Sequence, residues 1–184
     1  MGNPLRDRRT PSELAASGQA IEFSEKIGDF EKLVEIVEGD FETLDPDTLP
    51  LDWRDTVVAG RLNFSFADAQ GGVAALEGEV ATTIDAVCQR CLSAFRMPLK
   101  AELRLLFDAD DSAIADDESY EIWELEEEEF RPLDLVEEAL VMAMPLVAMH
   151  VDDETCRRAD TPATDSGEKI RPFAALKSQM KDGN

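Results

Sequence analysis

From residue 95 to residue 107 the chain alternates apolar and polar residues. Phe95, Met97, Leu99, Ala101, Leu103, Leu105 and Phe107 take the odd positions, with Arg96, Lys100, Glu102 and Arg104 between them. A period of two over thirteen residues predicts a strand buried on one face. Pro98 in its first half, which has no N–H to give a neighbour, points to an edge or a bulge there. Two earlier stretches read the same way. In 56–66, Val58, Leu62, Phe64 and Phe66 share a face; in 72–88, Leu76, Val80, Ile84 and Ala86 oppose Glu77, Glu79, Thr83 and Asp85. "IEFSEKI" (21–27) alternates more weakly and predicts an edge strand, and "SYEIWEL" (119–125) predicts a further one.

Helical spacing appears twice. Phe30, Leu33, Val34 and Val37 form one face of a short helix over 29–40, with Asp29 as its cap and Gly39 as its end. Val136, Ala139, Leu140, Ala143 and Met144 form the stripe of a stronger helix over 132–144, stopped by Pro145. Asp134 and Glu137 stand at capping-box spacing. The expected fold is therefore α+β. A twisted antiparallel sheet of about five strands, open or curled towards a barrel, carries the main helix across it and a short helix near the N-terminus.

The rest of the chain looks less ordered. Residues 1–20 read as a flexible segment with one helical turn after Pro11, and 21–158 as a single domain. Residues 108–129 hold twelve Asp or Glu and no Lys or Arg, and 108–118 is expected to be an acidic loop. That run has no glycine, so it lacks the bend of a calcium loop and reads as a solvated charged stretch. Residues 159–184 are a linker of Pro, Thr, Ser and Gly followed by "RPFAALKSQMK", a docking peptide or a frayed end. Its Phe173, Leu176 and Met180 would share a helical face.

Charge changes the functional picture. The chain of 184 residues has 41 acidic and 18 basic side chains, a net charge of −23. Gripping nucleic-acid phosphates needs clustered Lys and Arg, so the balance argues against direct RNA or DNA binding and towards basic proteins or cations. No apolar run reaches the length of a membrane span, and the start has no apolar signal core. A cytoplasmic location, where thiols stay reduced, is the expectation.

The chemistry gathers at "VCQRCLSAF" (87–95), a Cys-x-x-Cys pair at the tip of the hairpin between two long strands. A thioredoxin-like dithiol needs its first thiol at a helix N-terminus, which this setting lacks. A zinc site needs two further ligands, and the chain supplies His150 and Cys156 after the main helix. Cys88, Cys91, His150 and Cys156 are thus candidate zinc ligands, the alternative being a turn with reduced thiols. No nucleophile elbow, phosphate loop or dinucleotide fingerprint is present, and one histidine without a triad gives no hydrolase.

Taken in order, "VCQRCLSAF", the acidic stretch, "DLVEEALVMAMPLVAMHVDDETC" and "RPFAALKSQ" resemble the YceD family, the large ribosomal RNA subunit accumulation proteins. The resemblance spans about residues 20–180, with "MAMPLVAMH" departing from a more leucine-rich step. It implies a bacterial, non-enzymatic factor for synthesis, processing or accumulation of 23S ribosomal RNA, with no catalytic residue to carry over. Cys88, Arg90, Cys91, His150, Cys156, Pro172 and Phe173 match its motifs by position. With the charge, it points to a basic large-subunit ribosomal protein or a pre-50S particle as partner. Arg90, Pro172, Phe173 and Leu176 are the candidate partner contacts. An acidic, zinc-stabilised module for some other basic client is the competing expectation.

Overall fold

A computed structural model describes residues 3–18, 20–67, 72–107, 119–125, 127–151 and 156. Five strands form one open sheet in chain order: β1 (Ala20–Lys26), β2 (Val57–Phe66), β3 (Ala74–Val87), β4 (Ala94–Phe107) and β5 (Glu121–Trp123). Among the described residues three α-helices of more than one turn accompany them: α1 (Pro11–Ser17), α2 (Glu31–Phe41) and α3 (Pro132–Ala143). The alternating strands stand where the pattern placed them, and β1 is indeed an edge.

Two expectations about the sheet need correction. The pairs β1–β2, β2–β3 and β3–β4 are antiparallel, but β5 runs parallel to β4. Thirteen residues separate Phe107 from Glu121, enough chain for the return that a parallel neighbour requires. Alternation reports which face is buried, not strand direction. Nor does the sheet close into a barrel, since β1 and β5 are its two ends. β5 pairs only with Leu105–Phe107, so among the described residues β4 has β3 alone as neighbour over its first eleven residues. Pro98 sits in that one-sided stretch, in unbroken register opposite Thr83, so the edge reading holds and the bulge does not.

One face of the sheet buries Val58, Leu62, Leu76, Val80, Ile84 and Leu103 beneath the helices. The other carries charged side chains such as Arg61, Glu77, Glu79 and Glu102, apart from a small apolar group of Ala75, Leu106, Val73 and Tyr120. Gly60 lets the Phe23 ring lie directly on β2. A Cβ there would stand 2.7 Å from the ring and 2.6 Å from the Glu79 carbonyl oxygen, too close for any other residue.

The N-terminal segment, expected to be flexible, is packed instead. Leu5 is fully buried, and its carbonyl accepts from the Leu133 N–H in the first turn of α3. Arg9 and Phe130 exchange two backbone hydrogen bonds. Thr10 and Glu13 form the capping box of α1, which buries Leu14 and Ala15. Arg6 ties the segment to Glu25 and Asp29 at 2.7 and 2.8 Å.

Helix ends also differ from expectation. Asp29 does not cap α2; it pairs with Arg6 and accepts from the Lys26 N–H. Gly39 does not end α2, which runs on to Phe41 so that this ring packs edge-on against Trp53, 5.6 Å away. α3 opens at Pro132, with Asp134 paired to Arg131 rather than boxed with Glu137. Glu137 is buried and reaches across to α2. Its Oε1 accepts from the Lys32 and Leu33 N–H groups at 2.6 and 3.3 Å, the cap that Phe30 cannot supply. Replacing Glu137 by alanine strands the buried Leu33 N–H and the part-buried Lys32 N–H at the positive end of a helix. We expect a loss of about 2 kcal/mol in a urea titration. An unchanged midpoint would mean that water caps α2 equally well.

Candidate metal centre

β3 ends at Val87 and the chain turns through Cys88–Ser93 before β4 begins at Ala94. The turn is held by Leu92 N–H donating to the Cys88 carbonyl (2.8 Å) and Cys88 N–H donating to that of Ser93 (3.0 Å). Leu92 has φ 55°, a left-handed conformation unfavourable for a branched side chain. Closing this tight loop requires it there, and Leu92 itself points into solvent, 65% exposed.

The other half of the site comes from beyond α3. Pro145 bars helix continuation, and the chain, bending at Leu146 and Val147, brings the Ala148 carbonyl to the Gln89 N–H at 2.9 Å. That bond sets His150 beside the turn, its ring 4.5 Å from that of Phe95. Cys91 Sγ lies 3.6 Å from His150 Nδ1, Cys156 Sγ 3.2 Å from the same nitrogen, and Cys88 Sγ 3.6 Å from Cys156 Sγ. All four ligand atoms fall within 4.8 Å of one another, and the three cysteines are free thiols. The four residues picked out by type in the sequence therefore converge, although up to 68 positions separate partners.

The spacing can be tested against a tetrahedral ion. Thiolates bound at about 2.3 Å and a histidine nitrogen at about 2.0 Å put sulfurs about 3.8 Å apart and S–N pairs about 3.5 Å apart. Three of the six separations, 3.6, 3.6 and 3.2 Å, are close to those of such a polyhedron, and all six lie within 4.8 Å. Cys88 and Cys156 are buried, with Cys91 and His150 half-buried. This is the enclosure of a structural site, with no position kept open for a substrate.

Electrostatics agree. Burial opposes ionisation of Cys88. Backbone N–H groups of Cys91, His150 and Arg90, with the His150 side chain, outweigh it and draw the thiol down to about 5. Burial and the neighbouring sulfurs push Cys156 up to about 11. One thiolate is thus prepared while the next is repelled, a conflict that a divalent cation at the centre resolves. The Cys88–Cys91 pair lies between two strands and neither thiol begins a helix, unlike a thioredoxin-type dithiol.

Among the other candidate residues, Arg90 stands exposed at the tip of the turn. Pro172, Phe173 and Leu176 lie outside the described residues, as do the acidic stretch 108–118 and the linker. Sequence reasoning missed Ala148, whose carbonyl docks the two halves, because a backbone acceptor leaves no trace in residue type. Among the described residues no helix is long and apolar enough to cross a membrane.

A mixed sheet flanked by helices, with a Cys3His cluster that joins the tip of its β3–β4 hairpin to residues beyond α3, defines a small α+β protein with a candidate metal site. The family model of the large ribosomal RNA subunit accumulation protein YceD matches residues 76–178, more than half of the chain, and the chain belongs to that family. The match starts at β3, later than the resemblance read from the motifs, and takes in all four cluster residues. No solved structure matches the chain.

Proposed function

We propose that this protein is a non-enzymatic, cytoplasmic factor that sustains the 23S ribosomal RNA of the large subunit by holding a basic protein of the maturing particle. Its family membership carries the ribosomal half of this reading. Its net charge of −23 carries the other half, since such a surface attracts basic protein and repels RNA phosphates. The cluster has a structural role: one zinc ion bound by Cys88, Cys91, His150 and Cys156 would fix the hairpin tip and present the exposed Arg90. Pro172, Phe173 and Leu176 complete the set of residues to be tested for partner contact.

Depleting the protein from its own host should lower 23S relative to 16S ribosomal RNA and reduce mature large subunits on a sucrose gradient. The intact gene should restore both, and the Cys88→Ser/Cys91→Ser variant should not. Capture of basic large-subunit proteins should weaken steeply between about 50 and 300 mM salt, because screening at these strengths acts over about 6–14 Å. Unaltered RNA ratios on depletion would overturn the ribosomal reading. Salt-sensitive capture of a basic protein unrelated to the ribosome would then favour the second reading, an acidic interaction module, which the charge alone equally supports.

A further inference from the structure

The C-terminal half of α2 breaks the ordinary rules for a helix. Glu31, Glu35, Glu38 and Glu42 follow one another at intervals of four, three and four residues, so they line one exposed side of α2 and its cap. Like charges at that spacing repel. Glu38, Asp40 and Glu42 also stand where the helix dipole is already negative, with no base in the last turn. Of these acids only Glu31, at the opposite end, favours the helix. Local rules broken without a local return mark a surface shaped for something outside the chain.

The acids border a groove. An open hollow of about 450 Å³ lies between the end of α2 and the connection to β2, lined by Phe41, Leu49 and Trp53 together with Glu38, Glu42 and Arg54. Trp53 also lines a second hollow of about 180 Å³, shared with Pro50, Asp52, Thr56, Asp85 and Arg96. Leu51, between Pro50 and Asp52 in the chain, is 92% exposed. Asp85 reaches the second hollow from β3. It is only 7% exposed, and among the described residues no group donates a hydrogen bond to it. A carboxylate buried without a donor is costly. Arg96 acts on it through charge alone and donates instead to Thr56 Oγ1, at 3.4 Å. A donor entering the hollow would complete Asp85.

We propose that this groove seats a basic protein segment, with an apolar side chain in the larger hollow and a lysine or arginine beside Asp85. Charge decides the occupant. Residues 38–52 hold six acids and no Lys, Arg or His. With Asp85 that makes seven carboxylates against Arg54 and Arg96. Arg54 is already bound to Glu38 and lies over the Trp53 ring, and Asp55 is taken up by Lys26. Such a surface repels RNA phosphates, and a second copy would bring a net charge of −23 against the same acids. The inference rests on the reading that the partner is a basic protein, and adds where that protein sits.

The test uses the full chain with the photo-cross-linker benzoyl-phenylalanine in place of Leu51. The probe is the set of basic proteins stripped from purified large ribosomal subunits by concentrated lithium chloride. The expected product, mapped by mass spectrometry, links position 51 to a Lys- or Arg-rich peptide of one of those proteins. It should fall at least about fivefold when Glu42→Gln, Asp47→Asn and Asp52→Asn are combined in that chain. It should persist with Glu22→Gln, Glu79→Gln and Glu102→Gln, which remove the same charge from exposed positions on the sheet. Equal melting temperatures would show that both variants stay folded. Equal losses in the two variants, or proteins retained by the native chain without a link at position 51, would overturn the groove and leave the basic-partner reading standing. A link within the chain or to a second copy would overturn it as well. Failure of the native chain to retain any basic protein would remove that reading, and this proposal with it.

Discussion

Replacing Cys88 and Cys91 together by serine should lower the melting temperature by about 8–16 °C. A site filled at about a thousand times its dissociation constant adds about 4 kcal/mol to the folded state. In a chain of this size each kcal/mol moves the midpoint by about 2–4 °C. Serine hydroxyls remain protonated and are poor zinc ligands, so that contribution is lost while the volume at the turn is nearly kept. The loss should be local in origin. Without the cluster, the post-helix segment keeps only the Ala148–Gln89 bond and the tilted His150–Phe95 ring contact at the hairpin. A chelator should give the same drop in the native chain and none in the variant. Acidification should act likewise, because metal binding requires thiolate. Cys88, depressed to about 5, contributes its ionised form fully above its ordinary value of 9.0 and loses it as the pH falls through 5. Equal melting curves for the two proteins, with and without chelator, would remove the metal from the account of stability.

Leu5→Ala should cost about 3 kcal/mol, near the middle of the range for a fully buried leucine. The side chain lies in the same core cluster as Leu14, Leu133 and Val136, and its neighbours are held by backbone bonds on both sides of the site. They cannot collapse freely into the void. A urea titration checks the value, with Met142→Ala as an exposed reference expected to stay within about 0.5 kcal/mol. A negligible effect at Leu5 would mean that the first ten residues hang loosely after all.

That contrast shows what the sequence could and could not express. β2, β3 and β4 were legible because each must bury one face, and burial on a strand writes a period of two. The N-terminal segment was not. Leu5 is a single apolar residue among Asn3, Arg6, Asp7, Arg8 and Arg9, and one residue has no period. Glu137 read as part of its own helix's first turns, yet it caps a neighbouring helix more than a hundred positions away, which only packing can specify. The parallel placement of β5 was hidden for a related reason, since three paired residues carry no directional signal. The candidate site was legible in its residue types, because Cys, Cys, His and Cys suit a soft tetrahedral ion. Their meeting was not, as it depends on Pro145 turning the chain and on the Ala148 carbonyl finding the hairpin.

The central claim is that these four side chains hold one zinc ion. Metal content measured by mass spectrometry on full-length protein, purified without a histidine tag or chelator, tests it most directly. The account predicts about one zinc per chain, reduced to background in the Cys88→Ser/Cys91→Ser protein. Metal-free native protein with three titratable thiols, unable to take up zinc added at equal concentration, would contradict it.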